Sequence, residues 1–358
     1  MDVQKSILWR RFFSGLAYTA MQSVFFVYLQ HYKGFETYQI AGAFSILVFT
    51  SQAFSLFAGA WGDQFGRIRI MMIGCLLDVT AYALLIFMDN SSWLLIVSTG
   101  LFGLGSTLFG TNARAFMISS AESGDYKDKT KAQGKFLRIS SMASMVAPLL
   151  AMPFIHTEHA DWLIWCSFAI EVSMFFFLLI VIPRGICCAY RFERFRFCQI
   201  KDVLSKQFIL AHLLLFIPLG MASSFYVIFP YIFNNLLSYE ELIPIAFFVN
   251  NLVAVLLQEN FSRNVNLSID KLGYIAPMLM ILLLLPWFYV LENLSLVSAF
   301  IYLLIFAVIS LFANTALANL LVCFDTGQNQ GMMFGLSKLI LSITTALVMN
   351  AIPFIFLV

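Results

Sequence analysis

Most side chains of this chain are hydrocarbon, so the few that can ionise stand out by position. The stretch GAWGDQFGRIRI (59–70) places Asp63, Arg67 and Arg69 together, punctuated by Gly59, Gly62 and Gly66. Asp63 lies between two long apolar segments. There it can pair with an arginine or face a helix N-terminus, and so latch two helices in one arrangement. Gly59 permits close helix packing, and Gly62 and Gly66 permit a turn too tight for a side chain. Two further carboxyls, Asp78 and Glu171, each stand near the middle of an apolar run. A carboxyl in hydrocarbon is costly unless it is partnered. Two roles are open to this pair: carrying a proton as the surroundings alternate between dry and wet, or bonding helices together as a neutral group.

The elements that must position these groups are membrane helices. Hydrophobic residues make up 61% of the chain and charged residues 11%, against about 45–50% and about 25% in soluble domains. The apolar runs are too long for barrel strands and do not alternate. They predict eleven helices, over 9–29, 38–60, 68–88, 93–118, 135–155, 162–182, 208–230, 242–261, 271–291, 294–323 and 332–356. A helix satisfies its own backbone polar groups, as lipid requires. Little chain remains for a soluble catalytic domain, and no cleavable signal peptide is expected at the N-terminus.

The basic residues set the orientation. With the N-terminus inside, Lys5, Arg10, Arg11, Arg67, Arg69, Lys127, Lys129, Lys131, Lys135 and Arg138 are cytoplasmic. So is the basic connection 183–207, which divides the chain into 1–182, with six helices, and 208–358, with about five. The outer loops carry mainly acids, among them Glu36, Asp89, Glu158, Asp161, Glu240, Glu241 and Glu292. The halves share a weak repeat, LFGTNARA (108–115) against LFANTALA (311–318), each near the inner end of a long helix. Parallel halves of this kind are a transporter design.

Three signals carry little. HTEH (156–159) offers two histidines without further ligands nearby, so no metal and no cofactor are expected. RFERFRF (191–197) reads as a lipid-surface segment beside anionic headgroups, not as a nucleic-acid site. The six cysteines fall in helices or on the inner side and are expected to be free thiols.

The pattern G-x-x-x-D-x-x-G-R-x-R formed by Gly59, Asp63, Gly66, Arg67 and Arg69 resembles the signature loop of the major facilitator superfamily. Gln64 and Ile68 stand where the family often has basic residues, and Arg69 falls one step late. The long central connection and the repeat extend the resemblance over nearly the whole chain. It implies an all-α polytopic protein of two helix bundles, with about eleven transmembrane helices here, a missing twelfth and a cytoplasmic N-terminus.

The stretch GLFGLGSTLFGTNARAFM (100–117) looks like the fourth helix of the small-molecule and drug exporters, with Arg114 a candidate partner for Asp63. Thr99 replaces an arginine usual in proton-coupled members. MVAPLLAMP (145–153) keeps Pro148 but lacks the glycines of the antiporters. The family lines its cavity with the first, fourth, seventh and tenth helices. That nominates Tyr18, Gln22, Asn112, Tyr226, Tyr231, Asn314 and Asn319. Such amides and phenols suit amphipathic organic substrates; phosphorylated ones would need a pair of buried arginines.

The resemblance thus implies a monomeric, multi-pass secondary active transporter of the cytoplasmic (inner) membrane, and not an enzyme. It would export a small organic molecule against protons, by alternating access. The alternatives are an importer of a nutrient or metal-chelating metabolite, or a non-transporting sensor that kept the fold. An intramembrane aspartyl protease would be expected to show G-x-G-D within a helix. Here Ala60, Trp61 and Gly62 precede Asp63 at the membrane edge.

Overall fold

The computed structural model describes residues 3–120, 126–154, 160–182, 204–264, 269–292, 295–323, 333, 335–345 and 347. Every regular element among them is helical. The first six long segments are α1 (Val3–Val27), α2 (Thr37–Ala53) with α3 (Ser55–Phe65), α4 (Arg67–Ile86), α5 (Ser92–Ser119), α6 (Tyr126–Ala151) and α7 (Ala160–Val181). The second half holds α8 (Lys206–Leu214), α9 (Phe216–Ser223), α10 (Phe225–Tyr231), α11 (Ile243–Asn264), α12 (Ile269–Glu292) and α13 (Leu296–Cys323). A further helical stretch, α14, covers 335–345. Among the described residues, eight helices are long and apolar enough to cross a membrane, and they coincide with eight of the eleven expected spans.

Three expectations change. The segment 59–70 is not a loop. α3 continues through Gly62 to Phe65, and the chain reverses at Gly66 alone, whose φ of +95° favours glycine. Arg10 and Arg11 do not stand at the first turn of their helix, as a span starting at residue 9 implies. α1 begins at Val3, two turns earlier than expected, and carries both arginines into the bundle. Arg10 is 2% exposed, because carboxylates on neighbouring helices receive it. The expected span 208–230 is interrupted at Leu215 and Ser224, which separate α8, α9 and α10.

α1 packs between α6 and α7, α5 lies along α2 and α4, and α11 connects α6 to α13. Glycine sets the spacing around α5. A Cβ at Gly74 of α4 would lie 2.7 Å from the Gly105 carbonyl oxygen and 2.8 Å from the Phe109 nitrogen. A Cβ at Gly103 would lie 2.6 Å from the Leu47 carbonyl oxygen of α2. The two glycines of the 103–105 triplet therefore let α5 meet α2 on one side and α4 on the other, backbone against backbone. The repeat segments 108–115 and 311–318 fall in α5 and α13, helices of 28 residues each.

Candidate functional site

Three helices bring ionisable side chains to one buried point. One Arg10 Nη2, from α1, donates to Asp78 Oδ2 of α4 at 2.8 Å and to Glu171 Oε2 of α7 at 3.2 Å. These side chains are 3%, 8% and 3% exposed. Ser14, one helical turn after Arg10, donates its hydroxyl to the same Glu171 oxygen at 2.9 Å. The Arg10 guanidinium lies 3.8 Å over the Phe109 ring of α5, a cation–π contact strengthened by the lack of water. Ile7, Leu8, Met71 and Cys75 belong to the surrounding apolar cluster.

The helix packing decides this geometry. A Cβ at Gly105 would collide with the Asp78 carboxylate, so glycine there makes the space in which Asp78 turns toward Arg10. Arg11 faces away from the pair. Its Nη2 donates to Ser140 Oγ of α6 at 2.8 Å, and its guanidinium lies over Phe136 at 5.3 Å.

The structure thus joins Asp78 and Glu171 through Arg10, which the sequence reading had counted only among the cytoplasmic charges. Two signals pointed to it. Arg10 and Ser14 are four residues apart on one helix face, and two mid-helix carboxyls lacked a cation.

The residues of the 59–70 motif have other surroundings. Gly59 and Gly62 are buried within α3. A Cβ at Gly62 would overlap the Asn112 side chain. Arg67 Nη1 donates to the Ala115 carbonyl at 2.9 Å and to Ser119 Oγ at 2.8 Å, tying the start of α4 to the end of α5. Arg69 is exposed. The side chain of Asp63 lies outside the described residues, and so does its expected pairing with Arg114. HTEH and RFERFRF also fall outside them.

The cavity candidates stand in varied surroundings. Asn112 is 1% exposed, and its Nδ2 donates to the Ala58 carbonyl at 3.0 Å and the Leu108 carbonyl at 2.9 Å. It therefore bonds α3 to α5. Tyr18 is half-buried, edge-on to Phe102, and Gln22 is buried on the same helix. Asn314 is exposed and donates to the Ser310 carbonyl at 2.8 Å. Tyr231 and Asn319 are half-buried, and the Tyr226 side chain lies outside the described residues. Thr99 is buried and donates to the Leu95 carbonyl of its own helix at 2.8 Å.

The two halves meet at several points. Ser141 Oγ of α6 donates to Gln258 Oε1 of α11 at 3.4 Å. Ser55 Oγ, at the start of α3, donates to the Gly335 carbonyl at 3.1 Å. A Cβ on Gly335 would lie 2.5 Å from the Leu56 Cα, so α14 rests directly on the α3 backbone.

A sequence model of the Major Facilitator Superfamily matches residues 10–349. Among solved structures, a POT family transporter in complex with 5-aminolevulinic acid superposes with a TM-score of 0.77 at 12% identity, covering 98% of this chain and 90% of that one. The human organic anion transporter MFSD10 (TETRAN) superposes with a TM-score of 0.64 at 15% identity, covering 96% and 91%. At these identities the likeness is one of fold. No curated protein matches the chain by sequence.

Proposed function

Because this chain belongs to the major facilitator superfamily it is a secondary transporter in a membrane, and we propose that it exports a small organic molecule in exchange for protons. Asp78 and Glu171 are the proton-carrying pair in this reading. The observation that carries it is the sharing of one guanidinium by two buried carboxyls. With both ionised, the pair exceeds the charge of Arg10 by one, in a site closed to water. A proton on either carboxyl removes that excess while Arg10 keeps its bond to the other.

Water must reach the pair for the proton to exchange. That ties protonation to the opening of the bundle, and so to alternating access between parallel halves. Both halves are contained in one chain, which supports a working monomer. The reading places the protein in the cytoplasmic membrane.

The test is retention of a panel of fluorescent organic dyes, cationic and anionic, in pump-deficient cells expressing the chain. The expected result is lower retention of at least one dye, reversed by a protonophore and abolished in Asp78→Asn and Glu171→Gln. Unchanged retention with well-expressed protein would reject export. Extrusion insensitive to the protonophore would reject proton coupling.

A further inference from the structure

We propose that Ser14 is a positioning residue that fixes where the proton of this site sits: on Asp78, with Glu171 kept as the carboxylate. The inference rests on the proton-carrying reading for its place in transport. Its content comes from the hydrogen-bond geometry.

The two carboxyls are not equivalent. Glu171 Oε2 accepts twice, from Arg10 Nη2 at 3.2 Å and from the Ser14 hydroxyl at 2.9 Å. Among the described residues, Asp78 accepts from Arg10 alone, at 2.8 Å on Oδ2. Its other oxygen, Oδ1, lies against Gly105, where an added Cβ would collide with it. The same Cβ would lie 2.7 Å from the Gly74 carbonyl oxygen. Oδ1 thus borders the one gap in which a carbonyl acceptor stands. A carboxylate only accepts, whereas a protonated carboxyl carries an O–H to donate. Donors aimed at a carboxyl favour its charged form, and an acceptor beside it favours the protonated one.

Magnitudes decide the order. Arg10 by itself prefers Asp78 as the carboxylate, because 2.8 Å against 3.2 Å favours the shorter pair. That preference is about threefold at the effective dielectric of protein sites. A hydrogen bond to a charged group is worth about tenfold or more, so the Ser14 hydroxyl reverses it. Ser14 is 5% exposed and stands one turn after Arg10, so α1 delivers both donors to one oxygen. The other titratable groups that face the pair are Arg11 of α1, turned to Ser140, and Cys75 and Tyr82 of α4. α5 faces it with Gly105 and Phe109, and α7 adds Ser167, which donates to the Ala17 carbonyl at 3.3 Å.

In the proton exchange, water supplies the proton, an O–H forms at Asp78 Oδ1, and Arg10 is left with Glu171 as its one counter-charge. Release returns the proton to water. The bond between α1 and α7 persists throughout, and the bond between α1 and α4 is the one that weakens. Ser14 thereby selects α4 as the helix that responds to the proton.

The test is infrared absorption of the purified full chain in lipid, in the carbonyl stretching region of protonated carboxyls. A heavy-isotope label is placed on the carboxyl carbons of either Asp or Glu. The band should shift with the Asp label and not with the Glu label. It should vanish in Asp78→Asn, where Arg10 and Glu171 balance in charge. Ser14→Ala should move the proton toward Glu171 by about tenfold or more, so that the band follows the Glu label. Ser14→Thr keeps the hydroxyl and should restore the Asp pattern. A role in packing alone would lower stability and leave the label pattern as in the parent, which would overturn the proposal. A parent band that follows the Glu label, or one that survives Asp78→Asn, would overturn it too, while the proton-carrying reading stands. Absence of any such band at every pH at which the chain stays folded would sink both. No flux enters the measurement, so dye export can fail while this assignment holds.

Discussion

At the scale of single residues, the buried Arg10 cluster is costly to disturb. Removing the cation leaves two buried carboxylates without their counter-charge. Breaking a buried ion pair on one side costs about 3–5 kcal/mol. Arg10→Gln should therefore lower the thermal unfolding midpoint sharply in detergent. Adding Asp78→Asn and Glu171→Gln to that variant should recover most of the loss, because neutral polar groups can bond one another. A triple variant no more stable than Arg10→Gln would mean that the arginine acts through packing on Phe109 instead. Asp78 and Glu171 were legible in the sequence because carboxyls are rare in apolar runs. Their common partner was not. Arg10 sits where a positively charged flank also belongs, and one-dimensional position cannot separate the two.

At the scale of elements, the glycines of α5 and α4 set how close the helices come. Gly105→Ala places a methyl group in the space of the Asp78 carboxylate. Overpacking of this kind costs about 1–3 kcal/mol. Gly110, on the same helix, has nothing within 4 Å of an added Cβ. Gly110→Ala should therefore be neutral or stabilising, by up to ~1 kcal/mol from helix propensity. Comparing the two variants by thermal unfolding separates packing from propensity. Equal effects would remove the steric account. The sequence located helix centres well here, because twenty-residue apolar runs have few alternatives in lipid. It misread Gly62 as part of a turn. A glycine that packs on Asn112 and one that reverses the chain look alike until the neighbouring helix is in place.

At the scale of the whole molecule, the contact between α3 and α14 joins the two halves through backbone. Leu56 Cα cannot move aside as a side chain can, so a methyl group on Gly335 must separate the helices. Gly335→Ala should shift the balance toward the arrangement open at this contact. Ser55 is buried at 0% exposure beside it. In a background lacking native cysteines, Ser55→Cys should react slowly with a polar thiol reagent. Reaction should be about tenfold faster when Gly335→Ala is added, which corresponds to a shift of ~1.4 kcal/mol between the two arrangements. Unchanged reactivity would place the moving contact elsewhere.

The sequence by itself determined the membrane class, the helical fold and the family resemblance. Each follows from local properties: long apolar runs, rare charges, and a glycine-spaced motif at one turn. It also singled out Asp78 and Glu171 as groups that needed a reason to be buried. Only the tertiary structure decided what they touch. Arg10, Asp78 and Glu171 are separated by 68 and 161 positions along the chain. Such meetings depend on the rotation and depth of each helix. Those are set by close contacts such as Gly74 on Gly105 and Gly335 on Leu56, which no single stretch of sequence encodes.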